Sequence, residues 1–160
     1  MKENGCLCRV RPKKGSKLGK PYHVTDNKLD RDFQVDKPME KLVTDITYLY
    51  FGNCRLYLSS TVDLYNREIV AYTISECQDT DFVPDTLNQL EIPQGVLLHS
   101  DPGSVYTSKA YYQACIEKGI TRSMSRKETP ADNACIEWFH LVLKSETFYF
   151  HKWRNLTKVV

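Results

Sequence analysis

Residues 41–50 read KLVTDITYLY, and this run of β-branched and aromatic residues predicts a β-strand. Gly52 and Asn53 follow as a two-residue turn of the kind that closes a β-hairpin. Two more strands are predicted over residues 55–62 and 68–74. Because the connections are short, we expect the three strands to form an antiparallel meander.

Beyond the meander the spacing of apolar residues lengthens, and predicted helices alternate with short strands. A helix is predicted around residues 82–90 and a strand over residues 95–99. Ser108 is placed to cap a second helix that Gly119 ends. Residues 120–124 form the last predicted strand.

The final helix has a recognisable start. Thr129, Pro130 and Asp132 supply a capping side chain, a proline for the first turn and an acid three residues after the cap. This helix is predicted over residues 132–148. The order β-β-β-α-β-α-β-α predicts an α/β fold, in which three antiparallel strands and parallel crossover strands form one mixed sheet flanked by helices.

Length and composition fit one folded domain with an arm. The chain has 160 residues, of which 41% are hydrophobic and 26% are charged, close to the average of globular proteins. No apolar run approaches the roughly 18–20 residues that a bilayer crossing needs, and no secretory signal is recognisable. The six cysteines are scattered without a C-x-x-C pair. We therefore expect a cytoplasmic protein with reduced thiols and no membrane partner.

The charge is distributed unevenly. Residues 1–38 hold ten Lys/Arg and five Asp/Glu, while residues 39–160 hold twelve and fifteen. This difference predicts a basic arm before a mildly acidic core. Within the arm, residues 9–20 carry six cations and no acid. Such a segment is typical of a flexible polycation that lies along phosphates, or of a solvated linker that binds nothing, and composition leaves both open.

Three acids occupy positions that this fold could bring together. Asp45 lies within the first strand, Asp101 just after the fourth, and Glu137 inside the last helix. Taken singly, each could be an ordinary surface or turn residue. Clustered carboxylates repel one another unless cations bind between them, and oxygen ligands favour Mg²⁺ or Mn²⁺. Two such ions can align a phosphodiester for attack, so the set predicts nuclease or strand-transfer chemistry.

Basic residues near these acids are candidates for DNA binding. Lys144 follows Glu137 by seven residues, so both project from nearly the same helix face. Arg122, Arg126 and Lys127 precede that helix and could form an edge that faces phosphates. A solvent-exposed lysine and a solvated loop are the alternatives.

The remaining polar and aromatic residues have simpler interpretations. We expect His99 to be a satisfied core histidine and Asp63 to be a turn acid rather than a metal ligand. Tyr106, beside the predicted site, is a candidate for stacking on a base. Sheet packing is expected to account for most of the other tyrosines on or between the strands, Tyr48, Tyr50, Tyr57, Tyr65 and Tyr72.

Four stretches together resemble a known family. They are DIT at residues 45–47, HSDPGSVYTS at 99–108, SMSRK at 123–127 and DNACIEWFHLVLKSE at 132–146. This combination resembles the integrase-type catalytic core of bacterial insertion-sequence transposases, second-reading-frame products with retroviral-integrase-like DDE chemistry. The 35 residues between Asp101 and Glu137 match the spacing known for that family. The resemblance extends from about residue 29 nearly to the end.

The resemblance implies a ribonuclease-H-like fold and two divalent metal ions, Mg²⁺ or Mn²⁺. Asp45 would bridge both ions, and Asp101 and Glu137 would each complete one. It implies cleavage and strand transfer at insertion-sequence ends, with element-end and target DNA as partners and a homo-oligomer assembled on that DNA in the bacterial cytoplasm, at the nucleoid. It also implies more chain on both sides, so the core at residues 39–160 is expected to be truncated at its C-terminus.

Several residues depart from the family pattern. Pro102 and Val105 stand beside Asp101 where the family usually has Arg and Gln, and Trp138 follows Glu137 where a small or polar residue is usual. Proline fixes φ and lacks an N–H that could contact substrate. Two alternatives therefore stay open: a catalytically decayed DNA-binding or assembly module, and a stand-alone ribonuclease on the same fold.

Overall fold

The computed structural model describes residues 23–51, 54–78 and 81–149. Its strands are, in chain order, β1 (Lys41–Phe51), β2 (Cys54–Asp63), β3 (Ile69–Ser75), β4 (Leu97–Ser100) and β5 (Thr121–Met124). They form a five-stranded sheet in the order β3-β2-β1-β4-β5. β2 is antiparallel to both β1 and β3, whereas β4 is parallel to both β1 and β5. The predicted mixed sheet is confirmed; the turn predicted at Gly52 and Asn53 lies outside the described residues.

The helices occupy the connections that the sequence predicts. They are α1 (Phe82–Asn88), α2 (Lys109–Glu117) and α3 (Ala134–Leu143). The hydroxyl oxygen of Ser108 accepts a hydrogen bond from the Tyr111 N–H at 3.2 Å, which confirms the predicted cap of α2. Gly119 has a φ of +66°, the left-handed conformation that commonly ends a helix. Both predicted limits of the second helix are therefore confirmed.

The last helix differs from its prediction at both ends. Pro130–Asn133 form a 3₁₀ turn, α3 begins only at Ala134, and Lys144–Tyr149 continue as a π-helical turn. The side chain of Thr129 makes no capping hydrogen bond. The predicted capping acid, Asp132, instead binds arginine side chains through its carboxylate. Because neither Thr129 nor Asp132 caps the helix through its side chain, a tight 3₁₀ turn precedes the α-helix.

Helices cover both faces of the sheet because successive side chains of a strand point to opposite sides. On one face Leu42 belongs to the larger buried cluster, together with Phe82 of α1 and Leu98 of β4. On the other face Val43 packs in a second cluster with Ile136 of α3. β1 therefore lies at the centre of the molecule, with a helix layer on each side.

The described end of the basic arm packs against the edge strand β5. Leu29 is buried, and the N–H groups of Lys28 and Leu29 donate to the Ser123 hydroxyl at 2.8 and 3.0 Å. The N–H of Met124 donates to the Asp26 carbonyl at 3.3 Å. The last of these bonds satisfies one backbone group of an edge that would otherwise be open there, and the other two fix the arm on the Ser123 side chain. The boundary predicted at residue 38 stays a prediction.

Two expectations concern other parts of the chain. The polycationic run at residues 9–20 lies outside the described residues. Among the helices of the described ranges, none has both the length and the apolar character that crossing a bilayer requires.

Candidate catalytic site

Asp45 projects from the middle of β1 toward α3. Across the ladder it pairs with Ser60 of β2, and its Oδ2 lies 3.4 Å from Nδ1 of His140 on α3. The other ring nitrogen of His140 is 2.8 Å from the Ser60 hydroxyl. His140 is buried, so Asp45 has a fixed polar neighbour on its helix side.

Asp101 follows β4 directly, at the carboxyl end of a parallel strand where α/β sheets place ligands. Its Oδ1 accepts a hydrogen bond from the N–H of Gly103 at 3.0 Å. A Cβ on Gly103 would lie 2.8 Å from that oxygen, so any larger residue would displace the carboxylate from its present position over the turn. Burial raises the pKa of Asp101, the bond from Gly103 opposes this effect, and the charge of Asp45 adds to it.

Asp45 and Asp101 line the same cleft, which has a volume of about 220 Å³. The other residues on its wall come from β1, from the segment after β3 and from the turn after Asp101: Ile46, Tyr48, Gln78, Gly103, Ser104, Val105 and Tyr106. The parallel pairing of β1 with β4 brings the two carboxylates together although 55 residues separate them in the chain. The predicted meeting of these two acids is therefore found.

Glu137 lies in the first turn of α3 on an exposed part of the helix. Partial burial raises its pKa most, and the negative charges of Asp45 and Asp101 raise it further, while His140 lowers it. Glu137 therefore lies within the electrostatic reach of both other acids. It does not belong to the wall of the cleft.

The donor chemistry fits the divalent cations that the sequence predicts. Carboxylate oxygens are the ligands that Mg²⁺ and Mn²⁺ prefer, and the mutual repulsion of these acids is what a cation between them would remove. In the described ranges, however, no three Asp, Glu, His or Cys side chains lie close enough to enclose a metal ion. A closed site would need Glu137 and the cleft carboxylates to draw together.

Lys144 lies on the same side of α3 as the acids. Partial burial lowers the pKa of its ammonium group, and the charge of Asp45 opposes this shift. Lys144 is therefore partly shielded from water and close enough to Asp45 to interact with its charge. Its contact with DNA stays a prediction.

The basic loop before α3 is largely engaged within the protein. The Arg126 guanidinium donates to both oxygens of Asp132 at 2.8 and 2.9 Å, whereas Lys127 is exposed. Arg122 is buried, and its Nη2 donates to the carbonyl oxygens of His23 and Tyr106. Arg122 therefore does not form part of a phosphate-facing edge, and DNA binding by Arg126 and Lys127 stays a prediction.

Tyr106 is enclosed rather than presented to solvent. It is 2% exposed, and its ring meets the ring of Tyr111 edge-on at a centroid distance of 5.2 Å. Burial raises the pKa of its hydroxyl well above the ordinary value, and the charge of Asp45 adds to this effect. Base stacking by Tyr106 stays a prediction, and one that the burial of its ring does not favour.

The predictions made for His99 and Asp63 are both confirmed. His99 is buried between the hydroxyls of Ser123 and Ser125, at 2.8 and 2.9 Å, and burial lowers its pKa to about 4. Asp63 is buried and accepts from the backbone N–H groups of Met39 and Tyr65. Both side chains are part of the scaffold.

The residues that depart from the family pattern do not obstruct the carboxylates. Pro102 leaves the bond from Gly103 to Asp101 in place. Trp138 is 65% exposed, so it projects away from the sheet. Val105 contributes an apolar patch to the cleft wall.

Sequence reasoning missed His140. It follows Glu137 by three residues, a spacing that places both side chains on one helix face. Its contact with Asp45 also requires the position of α3 over β1, which the sequence pattern alone does not give. Nothing in the sequence pattern indicates the contact of Ser60 with His140, because it depends on the β1–β2 register.

The sheet order and the placement of helices define a ribonuclease-H-like core of the retroviral integrase type. A chain of the simian T-cell lymphotropic virus intasome superposes with a TM-score of 0.60 at 20% identity, covering 68% of this chain and 39% of that one. The HTLV-2 integrase catalytic core domain in complex with magnesium gives 0.53 at 14% identity, covering 68% and 69%. At these identities the similarity concerns the fold.

The sequence identifies the protein family to which the chain belongs. It belongs to the integrase core domain family, whose model matches residues 35–130. The matched part includes Asp45 and Asp101 and ends before Glu137.

The curated relatives come from bacteria. InsK of insertion sequence element IS150 from Escherichia coli (strain K12) is 38% identical over 145 residues, covering 88% of this chain and 51% of InsK. A transposase-like protein of Haemophilus influenzae is 37% identical over 149 residues, covering 89% and 68%. The transposase for insertion sequence element IS904 of Lactococcus lactis is 35% identical over 138 residues, covering 84% and 53%. The chain thus spans about half to two thirds of the length of these relatives.

Proposed function

We propose that this chain is the catalytic core of an insertion-sequence transposase, which cleaves DNA at the ends of its element and joins the freed ends to target DNA. Asp45, Asp101 and Glu137 would carry the chemistry. The observation that supports this most directly is the meeting of Asp45 and Asp101 in one cleft, with both charges raising the pKa of Glu137. The similarity to transposases disfavours the alternative of a decayed DNA-binding module.

The reaction would proceed in two chemically similar steps. Water would first attack a phosphodiester at the element end, leaving a 3′-hydroxyl on the element strand and a 5′-phosphate on the flanking strand. That 3′-hydroxyl would then attack a phosphodiester of the target DNA, forming a new phosphodiester and displacing a target 3′-hydroxyl. Divalent cations held by Asp45, Asp101 and Glu137 would supply activation of the attacking oxygen and stabilisation of the leaving oxygen. The magnesium in the HTLV-2 integrase core supports Mg²⁺ as the cation, and Mn²⁺ has the same ligand preference.

The chain's own side chains would hold this arrangement in place. The Gly103 N–H fixes one oxygen of Asp101. His140 lies between Ser60 and Asp45, where its Nε2 can accept from the hydroxyl and its Nδ1–H can face the carboxylate. Lys144 is close enough to Asp45 to interact with its charge, and it would bind the phosphate next to the reacting one. Each of these groups orients a reacting part rather than reacting itself.

The partners follow from the same proposal. The substrates would be element-end DNA and target DNA, bound in part through Arg126, Lys127 and Tyr106. Joining two ends requires two active sites, so a homo-oligomer would assemble on the DNA. We expect this to happen in the bacterial cytoplasm, on nucleoid DNA.

The test is a cleavage assay with the full chain and duplexes that carry the element's own ends. With Mg²⁺ or Mn²⁺ we expect a nick that exposes a 3′-hydroxyl. Asp45→Asn, Asp101→Asn and Glu137→Gln should each reduce cleavage to background. Glu146→Gln, which changes an exposed acid on the same helical stretch, is the matched control and should cleave normally.

The same assay separates the alternatives. Binding of the DNA without cleavage, together with no heat of Mn²⁺ binding in calorimetry, would support a decayed module and refute the proposal. Cleavage of an RNA–DNA hybrid in preference to element-end DNA would support a ribonuclease. Wild-type cleavage that persists in a metal chelator would refute the role of the carboxylates.

A further inference from the structure

An aromatic and cationic cluster lies on the β1–β2 hairpin beside the carboxylates. Tyr48 and Tyr57 pair directly across the ladder, and their rings meet at a centroid distance of 5.4 Å and an angle of 67°. The guanidinium of Arg55 lies 4.9 Å from the Tyr57 ring centroid and 5.5 Å from that of Tyr48. It also donates to the Tyr57 hydroxyl at 2.6 Å. Tyr48, Arg55 and Tyr57 together form the hairpin cluster.

Sheet packing does not account for the hairpin cluster. The expectation that packing explains most of these tyrosines is wrong, since Tyr48, Tyr50, Tyr65 and Tyr72 are all at least 42% exposed. Tyr57 alone is held against the core, where its ring meets Phe82 at 6.3 Å. Tyr57 therefore anchors the cluster, while Tyr48 and Arg55 are presented to solvent.

The hairpin cluster is continuous with the cleft. Tyr48 belongs to the cleft wall together with Asp45 and Asp101. It follows Asp45 by three residues, about 10 Å along β1, a distance that a few nucleotides span. The two side chains leave opposite faces of the strand, and both reach the cleft because the pairing of β1 with β4 ends at Val43. A DNA strand whose phosphate lies in the cleft can therefore bring a neighbouring base to the Tyr48 ring.

Arg55 adds a charge that suits a phosphate. Within the described ranges it is exposed and forms no ion pair with a carboxylate. Stacking on tyrosines orders its guanidinium without neutralising it, so its outer N–H groups can bind an anion. An ordered cation next to exposed aromatic rings is the combination that binds single-stranded nucleic acid.

We propose that the hairpin cluster binds an unpaired nucleotide of the DNA end, with its base stacked on Tyr48 and its phosphate bound by Arg55. This rests on the proposed function, because the cleft must hold the neighbouring phosphate. Stacking recognises the ring face of any base, so the preference is for an unpaired end and is independent of sequence.

Fluorescence anisotropy with the full chain, without metal, tests the proposal. The probes are two labelled duplexes of one sequence, one blunt and one with three unpaired nucleotides at its end. The wild type should bind the unpaired end at least fivefold more tightly. Tyr48→Ala should abolish that difference, and Tyr48→Phe should retain it. Arg55→Ala should weaken binding and reduce its salt dependence.

Tyr72→Ala is the matched control, because Tyr72 is also exposed but lies on β3, two strands away. Equal binding of both duplexes by the wild type, or equal effects of Tyr48→Ala and Tyr72→Ala, would overturn the inference. Thermal melts of each variant exclude unfolding as a cause. Failure of the proposed function looks different: the chain would prefer unpaired ends and yet never cleave with Mg²⁺ or Mn²⁺.

Discussion

Asp132→Asn should destabilise the fold strongly, although Asp132 lies outside the catalytic set. Its carboxylate is fully covered and accepts side-chain hydrogen bonds from Asn27, Arg31 and Arg126 at 2.8 to 2.9 Å. Asparagine keeps one acceptor oxygen but turns an amide donor toward arginine donors. These contacts tie the arm and the β5–α3 loop to the start of the helix that bears Glu137.

The expected loss is about 3 kcal/mol in the free energy of unfolding. Breaking a buried ion pair costs about 3–5 kcal/mol and a hydrogen bond to a charged group contributes about 1.5–3 kcal/mol. We take the low end because Arg31 and Arg126 are 48% and 51% exposed, so water screens and partly replaces their bonds. For a chain of this size the loss corresponds to roughly 6–12 °C in Tm.

Urea unfolding followed by circular dichroism measures this loss. Asp30→Asn is the matched control and should change stability little. Asp30 is exposed, and its Oδ1 lies 3.6 Å from Nη1 of Arg126. Arginine bonds hold the pKa of Asp132 well below its usual 3.8, so its stabilisation is present above that pH and lost as the pH falls further. A loss below about 1 kcal/mol, typical of a surface ion pair, would refute the reasoning.

Three further predictions concern the site and its scaffold. Gly103→Ala should weaken Mn²⁺ binding about tenfold in calorimetry, because the new Cβ would lie 2.8 Å from Asp101 Oδ1; unchanged affinity would contradict the role of the turn. His140→Ala should reduce cleavage by about tenfold or more, and His140→Asn, whose amide can stand in for Nδ1–H, should restore much of it; equal loss in both would indicate only a packing role. The folded pKa of His99 is lowered from 6.5 to about 4 by burial, so the folded state binds fewer protons and stability should fall as pH drops from 6.5 to 4. Its ring should titrate near pH 4 in NMR spectra, and titration near 6.5 would refute this.

Local patterns were enough to predict the sheet. The β-branched run at residues 41–50 and the short connections after it specify an antiparallel meander, because neighbouring strands with tight turns have few other ways to pair. Ser108 and Gly119 set the limits of α2 through their own backbone chemistry. These features depend on nearby residues, which is why the sequence reveals them.

The start of α3 could not be predicted in the same way. Thr129, Pro130 and Asp132 form a good local helix-start pattern, yet Asp132 binds Arg31, which is 101 residues away in the chain. A buried carboxylate needs charged partners, and meeting that need outweighs a capping bond of about 1 kcal/mol. The contact of His140 with Asp45 has the same origin, since it exists only once α3 lies across β1.

The candidate site therefore depends on how firmly α3 is held. Glu137, His140 and Lys144 follow one another at three- and four-residue spacing, so they occupy one stripe of the helical segment and all sense Asp45 on β1. In the described residues the carboxylates are close enough to repel and too far apart to enclose an ion. Repulsion between these acids opposes their approach, while the Asp132 ion pairs hold the chain just before Glu137 in place. A cation between the acids would reverse the sign of that force, so metal binding and the final position of α3 should be coupled.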